Sequence, residues 1–556
     1  MTTQPVAPAA PQVSITERLA GQPAERQLVH LDDELRPRRL TLGELRARAD
    51  IVARALRHRY GIGPGDRVCL HARTSLDAIT AIFGIWRAGA AVTVLPAARR
   101  NDPTDLQAAL NRRVLAAQAA LVITDALTAA GLAQLPVPVA DFASISSDRP
   151  ARLPPPPGPE QVALLQFTSG TTALPRAVAV RHGQLIANTH ASFSSAELAP
   201  DARFVLWLPL YHDMGIITLA GAIAHGYGAH VMDTQTFSLR PAAWMEAIGT
   251  YQAAATAAPN FAYGLAGYLL STGHSRPDLS SLRVAWNGAE SIDPVALGSF
   301  TDTAAAFGMP RTSICPSYGL AEATLSVTLG RNDEHYRTLT VDRAALEQGT
   351  VREVPSGRAL VDCGTPIQDT TVTITDVDGT PVPDGEVGSI RVQGPCVVDR
   401  YWTPAGSPAQ ASITDDYQRL VTGDLGFSLD GRLYVCGRQK DMIIVGGRNL
   451  YPEDFEFTAE RVRGVRPGAV MAFSIPGSEH MVVVAETTLR DAAARDLVRA
   501  VRDAVTAELA YTPHDVVLVA PGTLPKTTSG KRQRQLCRQQ YSNDALAVRA
   551  SALSSR

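Results

Sequence analysis

This chain predicts an α/β fold: a large N-terminal body of several subdomains, with layered sheets and a small β subdomain, followed by a small α+β C-terminal domain. Three observations predict it. The chain has 556 residues, whereas a single hydrophobic core stops growing near about 250–300 residues. Strand and helix patterns alternate up to about residue 330, the order expected of parallel βαβ units. Beyond about residue 440 two apolar strand segments enclose an amphipathic helix, a pattern distinct from what precedes it.

Taken in order, MTTQPVAPAAPQVSI (1–15) has neither the basic nor the apolar region of a secretory signal and reads as a flexible Ala/Pro arm. Residues 41–60 predict a helix. Thr41 with Glu44 three positions on is a capping box, and Leu42, Leu45, Ala49, Val52 and Leu56 form one apolar stripe. A GIGPGD turn then leads to a strand at Val68–Leu70, a helix over 76–88 and a strand over 91–95. The proline-rich segment 149–160 favours extended polyproline II and reads as a link between subdomains. After it, VALLQF (162–167) and AVAVRH (177–182) read as strands on either side of a Thr/Gly-rich loop.

Residues 329–358 are denser in charge than the 19% of the whole chain and lose periodicity, as an inserted surface element does. Short β-like segments at 372–375 and 387–393 suggest a small antiparallel or barrel-like subdomain. In the C-terminal domain, MVVVAET (481–487) and DVVLVA (515–520) are strands around a helix that stacks Leu497, Val501, Val505 and Leu509.

Composition excludes several functions. Apolar residues make up 45%, so the chain can bury cores and is not disordered as a whole. A net charge of −2 leaves no global field for nucleic acid or an anionic membrane. The six cysteines lie far apart with no CxxC pair, which fits reduced thiols and a cytoplasmic protein better than disulfides or zinc. No segment predicts a membrane span: 78–97 carries Arg87, and 250–275 is interrupted by Pro259, Asn260, Gly264 and Gly267.

Two segments carry chemistry. Thr168, Ser169, Gly170, Thr171, Thr172, Ala173, Leu174, Pro175 and Arg176 place hydroxyls, loop amides and a cation together, which suits phosphate oxygens. The segment is not a Walker loop, and a hydroxyl-rich hairpin turn is the open alternative. LPKTTSGKRQR (524–534) could be a solvated basic tail or, with Lys531, Arg532, Arg534 and Arg538, a nucleic-acid patch. Its Ser/Thr/Gly loop after an apolar strand instead suits presenting one ammonium to a ligand.

Together with WLPLYHDMG (207–215), WNGAE (286–290), SYGLAE (317–322), TGDLG (422–426) and GRQKD (437–441), these segments resemble the adenylate-forming superfamily of acyl-CoA synthetases, luciferases and adenylation domains. The motifs occur in the family's order between about residues 40 and 540. The resemblance implies an N-terminal adenylation domain over 16–437, a hinge at 438–441 centred on Lys440, and a mobile lid over 442–556. It implies ATP and Mg²⁺ as partners of the site. Thr168, Ser169, Gly170, Thr171 and Thr172, with Arg176, would hold phosphates. Gly288, Ala289 and Glu290 would line the adenine, with Tyr318 and Gly319 beside the base. Asp424 and Arg438 would hold the ribose, Glu322 the magnesium, and Lys531 would be the catalytic lysine. His212 would gate or contact the acid, in a pocket near Asn260, Phe261 and Trp286. His212 and Asp213 as a metal pair are set aside, since no further His or Asp stands at ligand spacing.

Within the superfamily, YHDMG, PNFAY (259–263), YGLAEATLSV (318–327) and GGRNLYPEDFE (446–456) most resemble fatty acyl-AMP ligases. The long stretch between Glu322 and Gly364, around TVDRAALEQGTVREV (340–354), resembles the insertion of that group. In that group it keeps the small domain from the CoA-using orientation. The expected reaction is therefore acyl-AMP formation from a carboxylic acid, then transfer to the phosphopantetheine thiol of an acyl carrier protein. An acyl-CoA synthetase, a ligase for another oxyacid and a non-catalytic nucleotide-binding regulator are the alternatives. Ala173, Arg176 and Ala177 depart from the family's glycine-lysine-glycine pattern, and Arg replaces a compact ammonium with a wide fork.

Overall fold

The computed structural model describes residues 12–96, 103–132, 134–146, 153, 155–167, 176–402, 412–445, 448–475, 477, 478, 480–526 and 531–553. Most of the expected arm lies outside these residues. Its last two do not behave as an arm: Ser14 and Ile15 are fully buried, and Ile15 opens a helix, Ile15–Ala20, closed by a Ser14/Glu17 capping box. The apolar Ile15 side chain has a core to enter, which composition alone could not show.

The body is built on two large sheets. In one, Arg67–His71, Ala91–Val94, Leu121–Thr124 and Val139–Asp141 run parallel. The helix Leu42–Tyr60 begins at the expected box, where the Glu44 amide donates to Thr41 Oγ1 (3.1 Å) and the Thr41 amide to Glu44 Oε2 (2.8 Å). The proline-rich segment is not a boundary between subdomains. Val162–Phe167 joins the same sheet beside Ala91–Val94, with Leu164 opposite Val92. Between the edge strand Val139–Asp141 and Val162–Phe167 the chain thus returns past three strands of the sheet. Ala177–Arg181 then pairs antiparallel with Val162–Phe167, so the Thr/Gly-rich loop joins two paired strands.

The second sheet has nine strands. At its centre Gly228–Met232, Arg203–Leu206, Ala255–Ala258, Val284–Asn287 and Ile314–Gly319 are parallel. Ala255–Ala258 and Val284–Asn287 are buried at every position, as parallel strands covered on both faces are. The helix His182–Ser195 touches strands of both sheets, and every residue of its neighbour Asp213–Ala224 is buried. The two helices lie between the layers.

Four antiparallel strands, Thr371–Thr375, Gly388–Gln393, Leu420–Leu429 and Arg432–Arg438, form the small β subdomain. The charged segment 329–358 is more than a surface loop. Thr338–Val341 pairs with Arg358–Val361 around the helix Arg343–Glu347. Leu339, Val341, Leu346 and Leu360 then pack on Phe427, Tyr434, Cys436 and Tyr451.

The C-terminal residues form a sheet of Val470–Ser474, Met481–Glu486, Asp515–Val519 and Val548–Ser551. Pro452–Glu460 and Asp491–Leu509 supply Phe455, Leu497, Val501 and Val505 to one core. Arg534–Ser542 supplies Cys537 and Tyr541 to another. Both cores draw only on residues from Ile443 onward. Among the described residues, no helix is long and apolar enough to cross a membrane.

Candidate active site

Parallel strands direct their carboxyl ends to one edge of the sheet, where α/β folds place ligands. Arg203–Leu206, Ala255–Ala258, Val284–Asn287 and Ile314–Gly319 end there, and the segments holding His212, Asn260, Gly288 and Tyr318 follow or close them. The backbone is tightly constrained at this edge. A Cβ on Gly319 would lie 1.9 Å from the Leu325 carbonyl oxygen. Ala289 adopts φ 70° and Thr324 φ 66°, left-handed conformations that cost non-glycine residues about 1–3 kcal/mol and cluster at functional sites.

Tyr318, Asp424 and Arg438 meet although they are far apart in sequence. The Tyr318 hydroxyl donates to Asp424 Oδ2 at 2.8 Å, and Arg438 Nε lies 3.1 Å from Asp424 Oδ1. The Asp424 carboxylate raises the Arg438 guanidinium's pKa, and burial, with the same carboxylate beside it, pushes the Tyr318 phenol up. The two oxygens of Asp424 are therefore each held from one side.

Glu322 sits in a short turn, Ala321–Ala323, where the Tyr401 hydroxyl donates to its Oε1 at 2.8 Å. The strand Tyr401–Trp402 pairs with Ala177–Arg181 at the flank of the Thr/Gly-rich loop, and the Arg176 guanidinium lies 5.7 Å from the Tyr401 ring centre. Thr168, Ser169, Gly170, Thr171, Thr172 and Ala173 lie outside the described residues, so the loop is placed by these flanks alone.

His212 caps the helix Asp213–Ala224, its Nδ1 2.6 Å from Asp213 Oδ1. Burial opposes ionisation of Asp213, but His212 and Lys531 hold its carboxyl far below the usual range. Among the described residues, no group of three or more His, Cys, Asp and Glu could hold a metal by itself. Glu290 accepts the Phe261 amide at 2.7 Å and faces Arg532, Lys526 and Lys531. Its pKa is raised by burial and pulled back by those cations.

A cavity opens at the strand ends, lined by Trp286, Gly288, Ala289, Tyr318 and Gly319 from the body and by Lys531 from the C-terminal domain. Its walls add Asp213, Met214, Ile217 and Thr218 of one central helix, and Asn188, Thr189, Ser192 and Phe193 of the other. Asn260, Phe261 and His212 are not in the lining. Asn260 bonds to Asn287 (3.3 Å), and Phe261 is exposed beside Gly468 of the C-terminal domain. The lining residues of the helix His182–Ser195 went unnoticed in the sequence. Their signal was there: Asn188, Thr189 and Ser192 repeat at helical spacing on a helix that also carries Leu185, Ile186 and Phe193.

The residues that follow Lys531 are held by carboxylates of the helix Pro452–Glu460. Arg532 reaches Glu456 (3.2 Å) and Glu460 (2.5 Å). Arg534 reaches Glu453 (2.8 Å), Glu456 (2.7 Å) and Asp441 of the turn Gln439–Asp441 (3.0 Å). Lys440, in that turn, is exposed. The same helix also meets the 329–358 segment, where Arg358 and Arg343 pair with Asp454, and Arg448 of the strand before the helix pairs with Glu347 at 2.8 Å.

Comparison with known proteins agrees with this architecture. Residues 15–402 match the family described as AMP-binding enzyme. The chain is 32% identical over 573 residues to the long-chain-fatty-acid–AMP ligase FadD26 of Mycobacterium marinum, covering 95% of this chain and 97% of that one. It is 33% identical over 540 residues to the medium-chain-fatty-acid–acyl-carrier-protein ligase JamA of Moorena producens, covering 90% of each. A solved structure from a study of fatty acyl-adenylate ligases of E. coli and L. pneumophila superposes with a TM-score of 0.86 at 29% identity, covering 96% of this chain and 98% of that one. With its mixed α/β layers and strand-end cavity, this chain belongs to the AMP-binding enzyme family.

Proposed function

We propose that this protein activates a carboxylic acid, of the fatty-acid class, as its acyl-adenylate with release of pyrophosphate, and then passes the acyl group to the phosphopantetheine thiol of an acyl carrier protein. The observation that carries the first step is the position of Lys531, which the C-terminal domain presents into a cavity walled by Trp286, Gly288 and Tyr318 of the body. Attack of a carboxylate on an α-phosphate brings two anions together. What it needs is positioning and neutralisation rather than a general base.

In this reading Lys531 bridges the acid's carboxylate and the α-phosphate. Asp424, oriented by Tyr318 and Arg438, accepts the ribose hydroxyls. Gly288, Ala289, Glu290, Tyr318 and Gly319 form the adenine site, and the Thr168–Thr172 loop with Arg176 receives the outer phosphates. Glu322 fits a magnesium ion. It offers a hard carboxylate with one oxygen bonded to Tyr401 and the other without a partner among the described residues, and Mg²⁺ takes one or two carboxylates alongside phosphates and waters. When bound, it would neutralise phosphate charge. His212 and Asp213 stand beside the entry of the acid, with Asp213 and Trp286 in the cavity wall.

The second step needs the lid to turn about the 438–441 segment. The grip of the 329–358 segment on the helix Pro452–Glu460 favours a carrier-bound thiol over free CoA, because it opposes a full rotation. The names of the relatives, two fatty-acid ligases of which one charges a carrier protein, support the same reading. An ATP-consuming enzyme whose six cysteines are all buried free thiols also suits the cytoplasm.

The test is acyl-AMP formation with MgATP across fatty, aromatic and amino acids, followed by a comparison of acceptors. Acyl transfer to holo-carrier protein but not to free CoA is expected. Robust thioester formation on free CoA would overturn the carrier assignment, and acyl-AMP from no acid at all would overturn the activity.

A further inference from the structure

We propose that the acid taken by this site is short and carries an oxygen function, a hydroxyl, oxo or phenol group, that hydrogen-bonds to Ser192. The proposal rests on the acid-activating reading above and narrows its substrate.

The evidence is an unpaired hydroxyl in the cavity wall. Ser192 is 5% exposed, lines the cavity, and its Oγ has no hydrogen-bond partner among the described residues. A serine on a helix has a ready alternative in the carbonyl one turn back, and buried polar groups are overwhelmingly paired in native structures. The neighbouring polar groups show how such pairing is done. Asn188 spends its side-chain amide on the backbone of Ser326, donating to the carbonyl at 2.8 Å and accepting the amide at 3.1 Å. Thr189 donates to the Leu185 carbonyl at 2.9 Å and lies 3.2 Å from His225 Nε2. Burial holds the His225 imidazole neutral, its pKa near about 3, and Arg18 Nη2 approaches its Nδ1 at 3.4 Å. Nδ1 is then the acceptor, so Nε2 carries the proton and donates to Thr189. Ser192 stands one helical turn away from these satisfied groups, with both a proton and lone pairs to offer.

The depth of the cavity sets the length. Beyond Thr218 the seam between the two central helices closes at Gly221. A Cβ there would lie 2.8 Å from Phe193 Cε2 and 2.9 Å from Thr189 Cγ2. Phe193 in turn stacks on His225 and meets the edge of Trp286, each with ring centres 5.4 Å apart. A long alkyl chain cannot thread between these helices without displacing that aromatic floor. The acid must end near Ser192, where the wall offers a polar partner instead of more apolar surface.

The test uses the full chain with MgATP and matched acid pairs, following pyrophosphate release with hydroxylamine trapping. The pairs are hexanoate with its 3-hydroxy and 3-oxo forms, and phenylpropanoate with its 4-hydroxyphenyl form; unsubstituted acids from octanoate to palmitate complete the set. One oxygenated short acid is expected to exceed its plain partner by at least about tenfold in kcat/KM, as sites built around a substrate hydroxyl do. Which pair shows the preference identifies the oxygen function. Ser192→Ala should collapse that ratio, and Phe193→Ala, which opens the floor, should move the length optimum upward. A preference for long unsubstituted acids in the unaltered protein, or an oxygen preference that survives Ser192→Ala, overturns the proposal. Activation of no acid at all overturns the acid-activating reading, and this proposal with it.

Discussion

Arg358 Nε lies 2.7 Å from Asp454 Oδ1, joining the end of the 329–358 segment to the first turn of the helix Pro452–Glu460. Two further contacts anchor the guanidinium. The guanidinium lies 4.2 Å from the Tyr451 ring centre, and its Nη2 donates to the Cys436 carbonyl at 2.8 Å. Burial raises the Asp454 pKa, opposed by Arg358 and Arg343. Removing one partner of such a buried pair strands the other, at a cost of about 3–5 kcal/mol. Arg358→Ala should therefore loosen this helix, with amide exchange in residues 452–460 at least about tenfold faster and acyl transfer to free CoA newly measurable. Unchanged exchange there would mean that other contacts hold the helix.

Arg534 ties that helix to the turn Gln439–Asp441. It is bonded at once to Asp441, Glu453 and Glu456, three positions after Lys531. Arg534→Gln leaves a cluster of carboxylates without this counter-charge and lets the lysine loop drift. Because a small misplacement of a positioned group can cost about 100-fold, kcat for acyl-AMP formation should fall by more than about tenfold while KM for ATP changes little. Arg534→Lys should recover only part of the loss, since an ammonium cannot reproduce the fork. A change confined to KM would contradict a positioning role.

Lys531 itself is expected to dominate. Loss of one preorganised electrostatic group costs about 10²–10³ in rate, so Lys531→Ala should lower acyl-AMP formation by that factor at saturating ATP. Hydroxylamine trapping measures it directly. A variant as fast as the unaltered protein would remove Lys531 from the chemistry.

Tyr318 should show the opposite kinetic signature. Its hydroxyl donates to the Asp424 carboxylate, and hydrogen bonds to charged groups contribute about 1.5–3 kcal/mol. Tyr318→Phe keeps the ring but frees the carboxylate to turn. KM for ATP should rise by about tenfold or more, with kcat less affected, as fits an interaction made in both ground and transition states.

Local features of the fold were legible, and long-range adjacency was not. The Thr41/Glu44 box and the strands around 68–70 and 91–95 follow from spacing within a few residues. The polyproline segment looked like a boundary because nothing in 149–160 reveals that Val162–Phe167 returns to pair beside Ala91–Val94. At the site, resemblance named Asp424 and Arg438, and their contact with Tyr318 is consistent with one shared task. Tyr401 stayed hidden, and Arg534 was legible only as part of a basic cluster, because their partners, Glu322 and Asp441, are distant in sequence. Ser192 was hidden for a different reason: a serine on a buried helix ordinarily bonds to its own backbone, and only the packing shows that it does not.

Buried neutral histidines make the fold acid-sensitive. Burial lowers the pKa of His182 to about 3 and of His230 to about 4, and both side chains are less than a tenth exposed. In the unfolded chain each returns to about 6.5. The sign follows from which state binds the proton. Above pH 6.5 neither state is protonated and the full stability is present. As pH falls below that value the unfolded chain takes up protons that the folded one refuses, so stability is lost down to the folded pKa. Each residue contributes a slope of about 1.4 kcal/mol per pH unit. Urea unfolding at pH 7.0, 6.0 and 5.0 should give a falling midpoint, steepest below pH 6. His182→Gln and His230→Gln should each flatten that dependence, whatever they do to stability at pH 7. A midpoint independent of pH between 7 and 5 would mean that these imidazoles are protonated in the folded protein.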